Sequence, residues 1–465
     1  MQIKFNQFFG GNIMGFRDDF VWGAATSSYQ IEGAVREDGK GEHIWDVFTK
    51  EPGHVYGDHT GETACDHYHR FREDVKIMKE MGLKAYRFSI DWSRVLPEGS
   101  GRVNEKGIAF YNALIDELLA NGIEPYVTLY HWELPYELYK KGGWMNRDIA
   151  EWFGGYAKLV AERFSDRVKY FFTLNEPQCF VGLGFLSGVH APGVKAPLRD
   201  TFEMAHNAMR AHGRAVQMLR QYAKQPLVIG YAPTASVAYP DSDKTEDIEA
   251  ARQLFFEIPE DVRNWTWNVA WWSDPVLLGH YPEEGLMRFA PYLPKITDED
   301  MKLISEPIDI YGQNIYNGRS VRMGADGKPE FVKRWEGFPR TAIDWPVTPE
   351  VLYWGPKFLY ERYQRPIYIT ENGISCHDVI SLDGKVHDPN RIDFLARYLH
   401  ELKRAAGEVD VRGYFQWSLM DNFEWASGYS ERFGLVYVDY PTQKRIFKDS
   451  AYWYRDVIKN NGANI

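Results

Sequence analysis

Eight short runs of strand-forming residues, each followed by a stretch with helical periodicity, constrain this chain more than any other feature. The runs are Phe20 to Trp22, Tyr86 to Ile90, Tyr126 to Tyr130, Tyr170 to Leu174, Leu227 to Ile229, Ile308 to Tyr311, Ile367 to Thr370 and Tyr414 to Trp417. Between them, Phe71, Val75 and Met78 fall at i, i+4 and i+7. Tyr111, Leu114, Ile115 and Leu118 form a second apolar face, and Ile392, Leu395, Ala396 and Leu399 a third. Near-continuous apolar strands alternating with helices belong to a parallel sheet covered on its faces. Eight such units predict a closed (β/α)8 TIM barrel. A doubly wound open sheet competes, but it lacks its Gly-rich phosphate loop after the first strand. A length of 465 residues would suggest three domains at roughly 150 residues each. No low-complexity linker divides the chain, so the expectation is one barrel domain over 14–465, with 1–13 as a loose extension.

The barrel reading gives meaning to the residues at the strand ends. His131 and Trp132 come after the third run, Asn175 and Glu176 after the fourth, Asn314 and Tyr316 after the sixth, Glu371 after the seventh, and Trp417 ends the eighth. In a barrel those ends open on one face, where active sites form. Residues far apart in the chain become neighbours there.

Composition narrows the partners. The net charge is −11, which argues against nucleic acid or an anionic membrane surface. Aromatic residues make up 15% of the chain, enough for a large core and for a pocket that stacks on sugar faces. Cys65, Cys179 and Cys376 are too few and too scattered for a disulfide framework or a zinc site, and read as inert thiols in a reducing compartment. No apolar run suits a membrane helix, and the N-terminus lacks signal-peptide features, so a cytoplasmic location is expected. Oligomeric state leaves no trace in the sequence.

The chemistry centres on two glutamates. A glycosidic bond is cleaved between two carboxyl groups, one protonating the leaving oxygen. In retaining enzymes the other attacks the anomeric carbon, and the pair stands ~5–5.5 Å apart. Thr173 to Pro177 (TLNEP) and Ile369 to Gly373 (ITENG) each put a glutamate just past an apolar strand. Either one alone could be a helix cap or an ion-pair partner. Two on one barrel mouth favour catalysis.

Five segments carry a resemblance to glycoside hydrolase family one, the family of many β-glucosidases. They are FVWGAATSSYQIEG from Phe20, AYRFSIDWSRVLP from Ala85, TLNEP, YITENG from Tyr368, and QWSLMDNFEWASGYSERFGLVYVD from Gln416. The likeness runs from Phe16 to about Tyr454 and implies a barrel with net retention of configuration. Position by position it implies Glu176 as acid/base and Glu371 as nucleophile, with Arg87 and Tyr316 supporting the latter. It implies a sugar pocket of Gln30, His131, Trp132, Asn175, Asn314, Glu424 and Trp425, floored by Trp417 and walled by Phe433. Trp345 resembles the platform for the leaving group. No metal or organic cofactor is implied.

Two positions narrow the substrate. Phospho-β-glucosidases of the family replace the Glu424 position with a small residue and add Ser and Lys; here Glu424 is intact and would repel a phosphorylated sugar. Thioglucosidases replace the acid/base with Gln; here Glu176 remains. The expected substrates are terminal β-D-glucosides such as cello-oligosaccharides and aryl or alkyl glucosides, with β-galactoside and β-fucoside side activity. A transglycosylase of the same mechanism and a non-catalytic sugar-binding module are the competing readings. Product analysis and turnover of a chromogenic glucoside separate them.

Overall fold

Most barrel strands begin on apolar residues and end on polar or small ones, which decides where the chemistry sits. The computed structural model describes residues 15–465; the expected extension over 1–13 lies outside them. The strands are β1 (Val21–Ala25), β2 (Ala85–Ser89), β3 (Glu124–Tyr130), β4 (Tyr170–Asn175), β5 (Val228–Ala232), β6 (Ile310–Asn314), β7 (Ile367–Asn372) and β8 (Val411–Trp417). All neighbours pair in parallel, and β1 pairs with β8 to close the barrel. The chain is thus a single-domain (β/α)8 TIM barrel.

All eight expected runs are barrel strands, but several extend further toward the mouth than apolar character suggested. β5 continues through Gly230 to Ala232, and β6 through Gly312 and Gln313 to Asn314. The barrel interior explains this. A Cβ on Gly230 would stand 2.6 Å from the Phe172 ring, and one on Gly312 about as close to Thr370 and Phe172. Small residues are needed where that ring fills the barrel, so hydrophobicity fails to mark the strand.

Alternate side chains of each strand divide between two cores. Ala85, Tyr126, Phe172, Ile310, Tyr368 and Phe415 fill the barrel interior. Val127, Leu129, Phe171, Ile229, Ile367 and Ile369 face the surrounding helices. Helix His67–Glu80 buries Phe71, Val75 and Met78, and helix Glu105–Ala120 buries Tyr111, Leu114, Ile115 and Leu118, as their periodicity predicts. Helix Pro389–Ala406 differs: Phe394, Leu395, Tyr398, Leu399 and Leu402 are buried, while Ile392 and Ala396 are half-buried. Its inward stripe is rotated toward Phe394, Tyr398 and Leu402, and it includes a charged residue, Arg391, fully buried with ion-pair partners.

Two smaller sheets lie in segments that follow barrel strands. Val237–Pro240, Gly318–Met323 and Pro329–Phe331 form one, and Val436–Asp439 with Lys444–Phe447 the other. No helix among the described residues is long and apolar enough to cross a membrane.

Candidate active site

Strand register slips where the glutamates stand. The β4–β5 pairing shifts between Phe172 and Asn175, and the β7 pairings shift after Ile369. Such irregularities re-aim side chains beside functional sites. Glu176 leaves the strand with φ of 44°, a left-handed conformation that costs a non-glycine residue on the order of 1 kcal/mol. Its N–H donates to the Ala232 carbonyl at 2.9 Å, and Pro177 starts the next helical turn. The backbone therefore holds Glu176 in place from both sides.

The two carboxyl groups are buried but solvated differently by the protein. Glu371 accepts from Arg87 at 2.7 Å on one oxygen and from the Tyr316 hydroxyl at 2.9 Å on the other. Glu176 accepts from the neutral Asn314 amide at 2.7 Å. Burial raises the pKa of both. For Glu371 the Arg87 charge is the largest opposing influence. Glu176 is pushed up to about 7 by burial first and by the Glu371 charge second. A single proton shared between them therefore resides on Glu176 and the negative charge on Glu371.

Arg87 is itself over-determined. Its guanidinium also donates to Asn175 Oδ1 at 2.6 Å, to Thr128 Oγ1 at 3.1 Å and to the Thr370 carbonyl at 3.1 Å. The same Asn175 oxygen accepts from Asn314 at 3.0 Å. With its oxygen so occupied, the Asn175 amide nitrogen faces His131 Nε2 at 3.1 Å. An amide nitrogen can only donate, so His131 Nε2 accepts and its proton sits on Nδ1. Burial holds His131 far below its ordinary pKa, hence neutral. Its Nδ1 is buried with no protein partner.

The remaining expected residues gather around this centre. His131 stacks on Trp417 at 5.6 Å and on Trp425 at 6.0 Å, and Trp132 packs on Trp425 at 4.4 Å. The Trp132 indole N–H donates to the Asn175 carbonyl at 3.0 Å. Gln30 donates to Glu424 at 3.3 Å, and also to Asn422 and the Phe423 carbonyl. Tyr316, Trp345 and Phe433 form an aromatic trio, with ring centroids 5.1 to 6.4 Å apart. Phe433 is buried in the interior core and packs against Tyr316, the residue that holds Glu371. Gln178, which follows Pro177, braces the Thr234 backbone.

One expectation changes in kind. Glu424 is pushed up to about 8, by burial first and then by the charges of Glu371, Glu431 and Glu176. Burial and those neighbouring charges therefore favour its protonated form near neutral pH.

Sequence reasoning missed Glu133. Its buried carboxyl accepts from the Ser28 hydroxyl, from His131 N at 3.2 Å and from Tyr29 N at 3.4 Å. It ties the turn that carries Gln30 to the strand end that carries His131, and burial pushes it up to about 8. The available signal was a glutamate two residues beyond His131 in a buried stretch. Among the described residues, no group of three or more His, Cys, Asp or Glu could hold a metal ion. Cys65 and Cys179 are buried thiols and Cys376 is half-buried.

A barrel mouth with one carboxyl protonated, its partner charged, and an aromatic and amide lining has the equipment of a glycoside hydrolase. The chain belongs to glycosyl hydrolase family 1, whose model matches residues 13–463. Its chemistry is accordingly that of an enzyme acting on O-glycosidic bonds. It is 49% identical to β-glucosidase A of Thermotoga maritima, over 97% of this chain and 99% of that protein. It is 47% identical to the 1,4-β-D-glucan glucohydrolase of Thermotoga neapolitana, over 96% and 99%. The solved structure of the T. maritima β-glucosidase in complex with galacto-hydroximolactam aligns with a TM-score of 0.87 at 48% identity, covering 96% of this chain and 99% of that one.

Proposed function

We propose that this chain is a retaining β-glucosidase that removes terminal non-reducing β-D-glucosyl residues by double displacement. The observation that carries the reading is the unequal pair: Glu371 held by Arg87 and Tyr316, Glu176 held by an amide and carrying the proton. Glu371 attacks the anomeric carbon while Glu176 protonates the leaving oxygen. Glu176, now ionised, then takes a proton from the water that releases the sugar from Glu371. The free hydrogen of the Asn175 amide and the Nδ1–H of His131 are donors for ring hydroxyls, Trp417 is the floor beneath the ring, and Trp345 receives the leaving group.

The preferred substrates are cello-oligosaccharides and aryl or alkyl β-glucosides. The naming of two relatives as a β-glucosidase and a glucan glucohydrolase supports that range. The galacto-configured ligand in the related structure supports β-galactoside side activity. Following the first-formed sugar by NMR during glucoside hydrolysis tests the mechanism. The β-anomer must precede mutarotation; the α-anomer would overturn retention.

A further inference from the structure

A buried charge network lies behind the pocket wall and is used by nothing in the mechanism above. Lys448 is fully buried, with Nζ 2.5 Å from Asp378 and 2.6 Å from Asp421. Asp378 lies in the segment after β7 and Asp421 in the segment after β8. Lys448 itself sits between strand Lys444–Phe447 and helix Asp449–Lys459, and its N–H donates to the Leu435 carbonyl at 3.1 Å. It is thus a cation fixed at a rigid junction, joining two mouth segments.

What Asp421 does with its two oxygens gives the clasp a purpose. Oδ1 accepts from Gly434 N at 3.0 Å, and Oδ2 pairs with Arg432 at 2.5 Å. Those residues flank Phe433. The Arg432 carbonyl accepts from Arg391 at 2.8 Å and from Cys376 N at 3.1 Å, so the segment after β7 also grips this point. Phe433 packs against Trp345 and Tyr316. On its other side in sequence, Asp421 leads through Asn422, which accepts from Gln30, to Glu424. One carboxylate therefore anchors both strips of wall, and Lys448 anchors the carboxylate.

Charge explains why a lysine stands there. Asp378, Asp388 and Asp421 face Arg391, Arg432 and Lys448. Removing one partner of a buried network leaves an uncompensated charge, which is strongly unfavourable. Whatever the charge balance, losing the lysine also unlinks Asp421 from Asp378, so the two mouth segments are no longer clasped and the wall that Asp421 carries is free to shift.

We propose that Lys448 is a positioning residue for the sugar pocket: by clasping Asp378 to Asp421 it fixes where Phe433 and Glu424 stand, and so sets affinity for the glycoside more than the rate of bond cleavage. The proposal rests on the β-glucosidase reading. It is tested with Lys448→Met, and with Lys448→Met/Asp378→Asn, which removes a cation and a carboxylate together and keeps the network balanced. KM and kcat are measured on a chromogenic β-glucoside, the inhibition constant on glucose, and Tm by circular dichroism. The expected result is a tenfold or greater rise in both KM and the glucose inhibition constant, with kcat within threefold, well below Tm. Combining either variant with Phe433→Leu should not multiply the two effects, because both act through one wall. A lowered Tm with unchanged KM, or effects that multiply, overturns the proposal. If Lys448→Met does not fold, the balanced double variant decides. Failure of the wild-type protein to turn over any β-glucoside would overturn the enzymatic reading instead. Glucose binding, followed by tryptophan fluorescence, would then still decide the role of Lys448.

Discussion

Arg87 donates to Glu371 at 2.7 Å from a guanidinium that is itself buried, while Glu176 receives an uncharged amide from Asn314 at the same distance. The two carboxyl groups share one cavity mouth but not one electrostatic environment. Their division into charged and protonated partners arises from that difference.

Replacing Glu176 by Ala removes the proton donor. Hydrolysis of an alkyl glucoside should fall by about 10²–10⁴-fold, the ordinary contribution of general acid catalysis. A substrate whose leaving group is already a good one, such as a dinitrophenyl glucoside, needs little protonation and should lose much less in its first, sugar-transfer step. Pre-steady-state release of dinitrophenol checks this. Equal losses for both substrates would remove Glu176 from the acid role.

Asn314 and Glu176 also make a pH prediction. Asn314 stabilises the ionised form of Glu176, so Asn314→Ala should raise its pKa further. The alkaline limb of kcat/KM, expected near pH 7 in the wild type, should move upward in the variant. Unchanged limbs in both would mean that another group controls it.

Stability carries the same signature. A carboxyl whose folded pKa exceeds its unfolded value binds its proton more tightly when folded. Its contribution is full below about pH 4.3 and is lost as pH rises through the folded value, here near 7. Glu176→Gln cannot ionise, so its stability relative to the wild type should be greater at pH 8 than at pH 4. Urea unfolding at the two pH values gives the comparison; a constant difference would contradict the raised pKa.

Tyr316 holds the second oxygen of Glu371 and packs against Trp345 and Phe433. Tyr316→Phe keeps the ring and deletes the hydrogen bond. A lost hydrogen bond to a charged group is worth roughly 1.5–3 kcal/mol, or about 10–150-fold. That loss should appear in kcat more than in KM, and steady-state kinetics on an aryl glucoside would show it.

Glu424 predicts how selectivity varies with pH. Discrimination against a 6-phospho-β-glucoside should increase as pH rises through about 8, where Glu424 loses its proton. The ratio of kcat/KM for the plain and phosphorylated substrates, measured at pH 6 and pH 9, reads this directly. A flat ratio would remove the Glu424 charge as the source of the discrimination.

The sequence by itself determined the barrel and pointed to the pocket residues. Eight apolar runs separated by amphipathic helices leave few other architectures, and polar residues placed after those runs converge wherever such a barrel closes. Glu176, Glu371, Asn175 and Tyr316 were legible in that way, whereas Arg87, inside the second run, was legible only through the likeness to glycoside hydrolase family one. Only the tertiary structure decided the electrostatics. The proton on Glu176, the neutral Glu424 and the tautomer of His131 depend on burial and on partners distant in the chain, such as Asn314 and Arg87. Glu133 and Lys448 escaped notice for the same reason. A buried charge looks like a surface charge until the fold removes the water around it and brings its partners within hydrogen-bonding distance.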